Sequence, residues 1–183
     1  MVTMPSWDLF IALFFITIVA YGFILQREKV TVTLLSTYVG MVVASVWGKA
    51  VYEVISGNTV ILNQVWLRSG LSLFATKMGI FIIFLVALSL KGEFSNPPRR
   101  MMGIISPILL LVYSFLNAGL IISAVINFMS VPSRASLIAQ STFVDFIMRY
   151  ETWWVVLPPI IMILAGFKQQ VRPTGYPEDE RRY

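Results

Sequence analysis

Residues 69–91 read SGLSLFATKMGIFIIFLVALSLK, a run of apolar and small residues that carries one cation, Lys77, in its first half. A bilayer's hydrocarbon core is about 30 Å thick and takes about 20 helical residues to cross, so the length of this run decides its surroundings before any other feature does. Three further runs qualify in the same way: Trp7 to Leu25, Val30 to Ile55 and Ile104 to Met129, which with Ser69 to Leu90 make four candidate spans. A fifth, Thr152 to Phe167, is shorter than a full crossing and contains Pro158-Pro159; we expect it to cross a thinned region or to lie in the outer half of the membrane, and lean to a crossing.

Composition points the same way. Of the 183 residues 57% are hydrophobic and 13% charged, against roughly 25% charged in a soluble domain. A small domain of this length could bury only about 70% of its surface, so four uninterrupted apolar stretches need lipid. The sequence has no Cys and no His, which removes disulfides, thiolate and imidazole ligands and every His-dependent triad. Three of its nine acids, Glu178, Asp179 and Glu180, are in the tail, so even an all-oxygen metal site is not expected. The net charge of +5 comes from short basic clusters between apolar runs, not from a continuous stripe, and reads as a topology signal with no nucleic acid implied. No Gly-rich phosphate loop, nucleophile elbow or spaced acid pair appears, so no enzyme and no cofactor is expected. The opening MVTMPSWDLF lacks the positive n-region of a secretory signal, and the first span is expected to stay in the mature protein.

Basic loops stay on the cytoplasmic side. With the N-terminus outside, that side receives Arg27, Lys29, Lys91, Arg99, Arg100, Lys168, Arg172, Arg181 and Arg182, and the outside only Arg68, Arg134 and Arg149. Trp7, Trp66, Trp153 and Trp154 then gather near the outer headgroups, where amphipathic rings are best accommodated. The expected architecture is all-α: a polytopic bundle of four spans in 1–129, an amphipathic helix on the outer surface in 130–151, the short hydrophobic segment 152–167 and a disordered cytoplasmic tail, 168–183. On a helical wheel Arg134, Ser141, Thr142, Asp145 and Arg149 share one arc of the surface helix, interrupted by Ile138, and Asp145 and Arg149 stand at the favourable i, i+4 spacing.

Within the spans three groups of residues stand out. Ser36, Gly40, Ala44 and Gly48 recur every fourth residue, a small-residue face that lets another helix approach closely; that helix belongs either to this chain or to a second copy. Asn117, Ser123 and Asn127, with Gly119, mark one side of the fourth span as facing the bundle interior, because buried amides and hydroxyls need partners. Asp8, Lys49, Glu53 and Lys77 all fall in the outer half of the bundle. A charge near the bilayer centre costs about 2.5 to 3.5 kcal/mol even on insertion scales. Either Lys77 pairs with Glu53 or Asp8 while Lys49 reaches the headgroups, or the four line a water-filled vestibule open to the outside.

At Trp7-Asp8, at YGF (21–23) leading into QREK, and at LLSTYVGMVVA (34–44), the chain resembles the colicin V production protein (CvpA-like) family of bacterial inner-membrane proteins. That family typically has an acidic residue at the head of the first span, a Gly-Phe turn before a basic hairpin and a Ser-x-x-x-Gly-x-x-x-Ala stripe in the second span. The similarity extends loosely to about residue 145; Gln26 stands where the family often has a second glycine, and the double-proline segment exceeds its four-span pattern. The resemblance implies a bacterial inner-membrane location and a link to peptide export or envelope maintenance, with no assigned chemistry. The expected function is a non-enzymatic scaffold or accessory subunit, partnered by the lipid bilayer and by itself or another membrane protein. The alternative is a channel or small-solute transporter using the charged vestibule.

Overall fold

In the computed structural model, which describes residues 6–56, 72–91 and 105–167, the described chain is helical throughout: α1 Trp7–Ile55, α2 Leu73–Lys91, α3 Ile105–Phe128, α4 Val131–Gln140, α5 Thr142–Arg149 and α6 Glu151–Phe167. Trp66, Arg68, Arg99, Arg100 and the tail 168–183 lie outside the described residues.

A single helical run covers the expected first two spans, yet the chain still reverses between them. Gly22 faces Ser114, while Thr37 bonds Asn117. On a straight helix residues 22 and 37 would be about 22 Å apart, whereas 114 and 117 are separated by about 4.5 Å of α3. Val30 Cγ2 would also lie 3.6 Å from a methyl added to Gly22, although eight residues of straight helix cover about 12 Å. Two arms, Trp7–Ile24 and Lys29–Ile55, are therefore folded against each other, each long and apolar enough to cross a membrane, as are α2 and the Pro107–Phe128 part of α3. Asp8 and Lys49 consequently lie at one end of the bundle, with α4 and α5, which we call the cap end; Lys29 and Lys91 mark the opposite, basic end.

The first arm shows one face to the core and the other outward. Ile11 is buried with Leu116, while Leu9, Phe10, Leu13 and Ile16 are exposed, an apolar outer surface suited to lipid. The second arm packs antiparallel on α2: Thr33 meets Ser89, Gly40 meets Phe81 and Gly48 meets Lys77. The small-residue face is thus covered within this chain, with Ser36 and Ala44 buried. A methyl on Gly40 would sit 3.1 Å from the Phe81 carbonyl oxygen, which shows how closely the two backbones approach.

Helix α3 is the hub, with 61% of its span buried against 11% for the first arm and for α2. Helix α6 runs antiparallel along it. Glu151 bonds Asn127, Trp154 covers Gly119 and Tyr113 bonds the Ile161 carbonyl, so α6 follows α3 for about 21 Å at 1.5 Å per residue. Proline does not break it; Pro158 and Pro159 are inside the helix.

The expected surface helix differs. It is two helices, α4 and α5, because Ser141 adopts an extended backbone (φ −138°, ψ 120°) and turns its hydroxyl onto the Val144 amide 3.1 Å away as an N-cap. Serine competes with the helix for backbone hydrogen bonds and so favours this position. The Asp145–Arg149 pair forms at 2.8 Å on α5. Helices α5 and α6 then meet at a 59° bend.

Candidate functional site

The four charges expected to converge in the membrane do not form one site. Asp8 is engaged by α5: its carboxylate accepts a hydrogen bond from the Ser141 hydroxyl at 2.5 Å and from the Phe143 amide at 3.1 Å. Orphan amides at a helix start favour negative charge, so the acid at the head of the first arm fastens the cap helix to the bundle. Among the described residues Lys49 and Glu53 pair with each other, at 3.8 Å, with side chains 78% and 49% exposed.

Lys77 meets neither acid; among the described residues no carboxylate lies within 4 Å of it. Its stem crosses Gly48, where a methyl would come 2.5 Å from Cγ, and its ammonium stands 5.9 Å from the centre of the Phe128 ring. The missing side chain at Gly48 makes the notch in which the alkyl stem lies, and the ring face attracts the cation. The expected pairing with Glu53 or Asp8, and with it a vestibule lined by all four, is corrected for a rotational reason. Successive helical residues are turned by about 100°, and Gly48 faces α2, so Lys49 at about 100° and Glu53 at about 140° from Gly48 both point away from Lys77, while Asp8 is taken up by α5.

The polar residues of α3 do face inward. Asn117 and Ser123 are buried, and the Thr37 hydroxyl lies 2.9 Å from Asn117 Oδ1 and equally 2.9 Å from the Thr33 carbonyl. One hydroxyl hydrogen serves one of these acceptors at a time. Asn127 joins three helices: its amide NH2 donates to Glu151 at 2.6 Å and its oxygen accepts from Arg134 at 2.8 Å.

A further tie was not anticipated. Proline has no N–H, so Pro159 leaves the carbonyl four residues earlier without its helical donor. That carbonyl belongs to Val155, and the Tyr38 hydroxyl donates to it at 2.6 Å. Irregular backbone inside a membrane requires such repair. The double proline signalled in the sequence that an acceptor would be freed, but nothing in it pointed to Tyr38, 117 residues away.

Toward the basic end, both arms of α1 face α2 and α3. Between them is a cleft of about 260 Å³ with apolar walls including Ile18, Leu85 and Val86, and with Thr33, Ser89, Ser114 and Asn117 among its lining. Thr33 donates to the Lys29 carbonyl at 2.8 Å and lies 3.2 Å from the Ser89 hydroxyl. With the Thr33 hydrogen engaged, Ser89 is the donor of that pair. Ser114 is 1% exposed and its hydroxyl meets no partner among the described residues.

Comparisons with protein-family models, curated proteins and solved structures find no match.

Proposed function

We propose that the chain is a non-enzymatic, multi-pass protein of the bacterial inner membrane. Its N-terminus lies outside, and it serves as a scaffold or accessory subunit in envelope maintenance or peptide export, as the resemblance to the colicin V production family implies. The observation that supports this reading is the use made of the polar groups within the bundle. Asp8 holds α5, Asn127 joins α3 to α4 and α6, Thr37 meets Asn117, and Tyr38 closes the gap left by Pro159. Polar residues that line a pathway face water and exchange partners; these bind one helix to the next. Helices fixed in this way present constant outer surfaces, as a docking platform requires, and the exposed apolar faces of the first arm and of α2 are available in the plane of the membrane.

The test is ion and solute flux in vesicles containing the purified full chain. The scaffold reading expects flux no greater than in protein-free vesicles, for the wild type and for Lys77→Met alike. Reproducible flux abolished by Lys77→Met or Glu53→Gln would reject it in favour of a channel.

A further inference from the structure

Helix α5 shows three faces around its axis. Counted at about 100° per residue from Thr142, Ile147, Val144 and Met148 fall between about 140° and 240° and pack with Ile11, Leu116 and Trp154 in the core. Asp145 and Arg149 fall near about 300° and 340° and pair with each other. Phe146, Phe143 and the C-cap residue Tyr150 fall between about 40° and 100°, where all three are exposed, with the Phe146 and Tyr150 rings 4.9 Å apart. A core side, a charged side and an aromatic side call for three surroundings, one more than the two faces of an ordinary amphipathic helix.

The two ends of α5 are fixed at the same end of the bundle. At its start the Ser141 hydroxyl and the Phe143 amide donate to Asp8, the second residue of the first arm. Beyond its end Glu151 accepts from Asn127, the penultimate residue of α3. Helix α5 therefore lies across the ends of two spans, turned by 59° from α6, at the depth where hydrocarbon gives way to headgroups. Exposed aromatic rings continue on either side of it: Trp7 and Phe10, in edge contact at the head of the first arm, and Trp153 in the first turn of α6. Below them begins the apolar outer surface of the spans, with Leu13 and Ile16 on the first arm and Val156 and Ile160 on α6. Helix α4 has no comparable face: beyond Val131 and Pro132 its exposed positions are Ser133, Ala135, Ser136, Ala139 and Gln140.

We propose that α5 is a lipid anchor. Phe143, Phe146 and Tyr150 enter the bilayer at the boundary between headgroups and acyl chains in the leaflet at the cap end, while Asp145 and Arg149 stay in water and Val144 and Ile147 hold the helix to the bundle. Lipid is the occupant because the aromatic face continues the surface that the spans present to hydrocarbon, and because amphipathic rings are favoured at that depth. Interfacial helices bury their apolar face about 5 to 10 Å into this zone. The surface helix expected over 130–151 is thereby narrowed to α5, and its lipid contact is at its side, since its underside is taken by the core. The anchor requires only that the spans cross; it holds for either orientation and whether or not the chain is a scaffold.

The chain has no cysteine, so a single nitroxide label reports on one position. The full chain in palmitoyl-oleoyl phosphatidylcholine vesicles is labelled in turn at Phe143→Cys, Phe146→Cys, Tyr150→Cys, Asp145→Cys, Arg149→Cys and Val42→Cys; none of these side chains is buried. Collision of each label with oxygen, which concentrates in hydrocarbon, is compared with collision with a water-soluble nickel chelate. The three aromatic positions are expected to favour oxygen, as does Val42→Cys on the exposed side of the second arm, while Asp145→Cys and Arg149→Cys favour the chelate. Preference for the chelate at the three aromatic positions would overturn the proposal by placing that face in water. Exclusion of both reagents there would overturn it in favour of a protein cover, a second copy if the labels also broaden one another. Preference for the chelate at Val42→Cys as well would reject the spans themselves, and the anchor with them.

Discussion

Replacing Tyr38 by Phe removes one oxygen atom and leaves the ring. In most proteins that loses a hydrogen bond with a net value near 1 kcal/mol, and in membrane proteins the average is only about 0.6 kcal/mol, because the abandoned partner finds another. Here the partner is the Val155 carbonyl, 2.6 Å from the hydroxyl. The residue that would donate to it in a regular helix is Pro159, which has no hydrogen to give. The carbonyl is left unpaired in a half-buried position, so the cost belongs in the range of about 1 to 3 kcal/mol for an orphaned buried group. The same reasoning predicts a rescue: Pro159→Ala restores an N–H that can reach Val155 along the helix, so Tyr38→Phe should cost substantially less in that background. The assay is unfolding of the reconstituted chain by SDS in mixed micelles, followed by tryptophan fluorescence, with Trp153 and Trp154 on α6 itself. The coupling expected from the cycle is about 1 kcal/mol or more; additivity within the usual 0.3 to 0.5 kcal/mol or so for independent sites would refute the pairing of tyrosine with the proline-freed carbonyl.

Other perturbations test separate contacts. A methyl at Gly119 would lie 2.5 Å from Trp154 Cζ3 and 2.6 Å from Cδ2, and that ring packs against the touching pair Phe15 and Phe115 at centroid distances of 6.2 and 5.6 Å. Gly119→Ala should therefore cost about 1 to 3 kcal/mol by overpacking, while Gly79→Ala, with nothing within 4 Å of the new methyl, should be neutral in the same SDS titration; equal effects would contradict the packing. Asp8→Ala should release α5 from the first arm, seen as faster hydrogen exchange at residues 144–149 with α3 protection unchanged. Lys77→Met keeps the stem in the Gly48 notch and breaks no ion pair among the described residues, so stability should stay within about 0.5 kcal/mol of wild type; a large loss would mean that the cation has a partner of its own.

The sequence announces some of these features and conceals others for physical reasons. Span lengths and the inward side of α3 were legible because lipid leaves few options: apolar runs must be helical, and Asn117 or Ser123 within one must turn toward other helices. The Ser36-Gly40-Ala44-Gly48 face was legible as a contact but did not name its partner, since close approach depends on shape and α2 meets it with Lys77 and Phe81, not with its own small residue Gly79. The charge cluster failed because depth was considered without rotation. Asp8, Lys49, Glu53 and Lys77 do lie toward one end, but the wheel angle between Gly48 and Lys49 already directs Lys49 outward. The link from Asp8 to Ser141, 133 residues on, depends on how the bundle closes, and no local pattern carries that. Ser141 itself was placed within one continuous helix, although serine's preference for the cap position argues for a break there.

The contacts that hold the bundle are of two kinds, and they divide it unequally. Helices α3 to α6 and both arms of α1 are tied by directional bonds, several of them charged: Asp8 to α5, Glu151 and Arg134 to Asn127, Tyr38 to Val155. Helix α2 is held to the second arm by shape, through Gly40 and Gly48, with one hydroxyl pair at Thr33 and Ser89. Dispersion contacts are individually weak and depend on undisturbed fit, so α2 is the helix that can separate while the others keep their arrangement. The cleft opens on that helix. Sub-denaturing SDS should therefore raise hydrogen exchange in α2 before it does so in α3 and α6; simultaneous loss of protection in all three would refute this division.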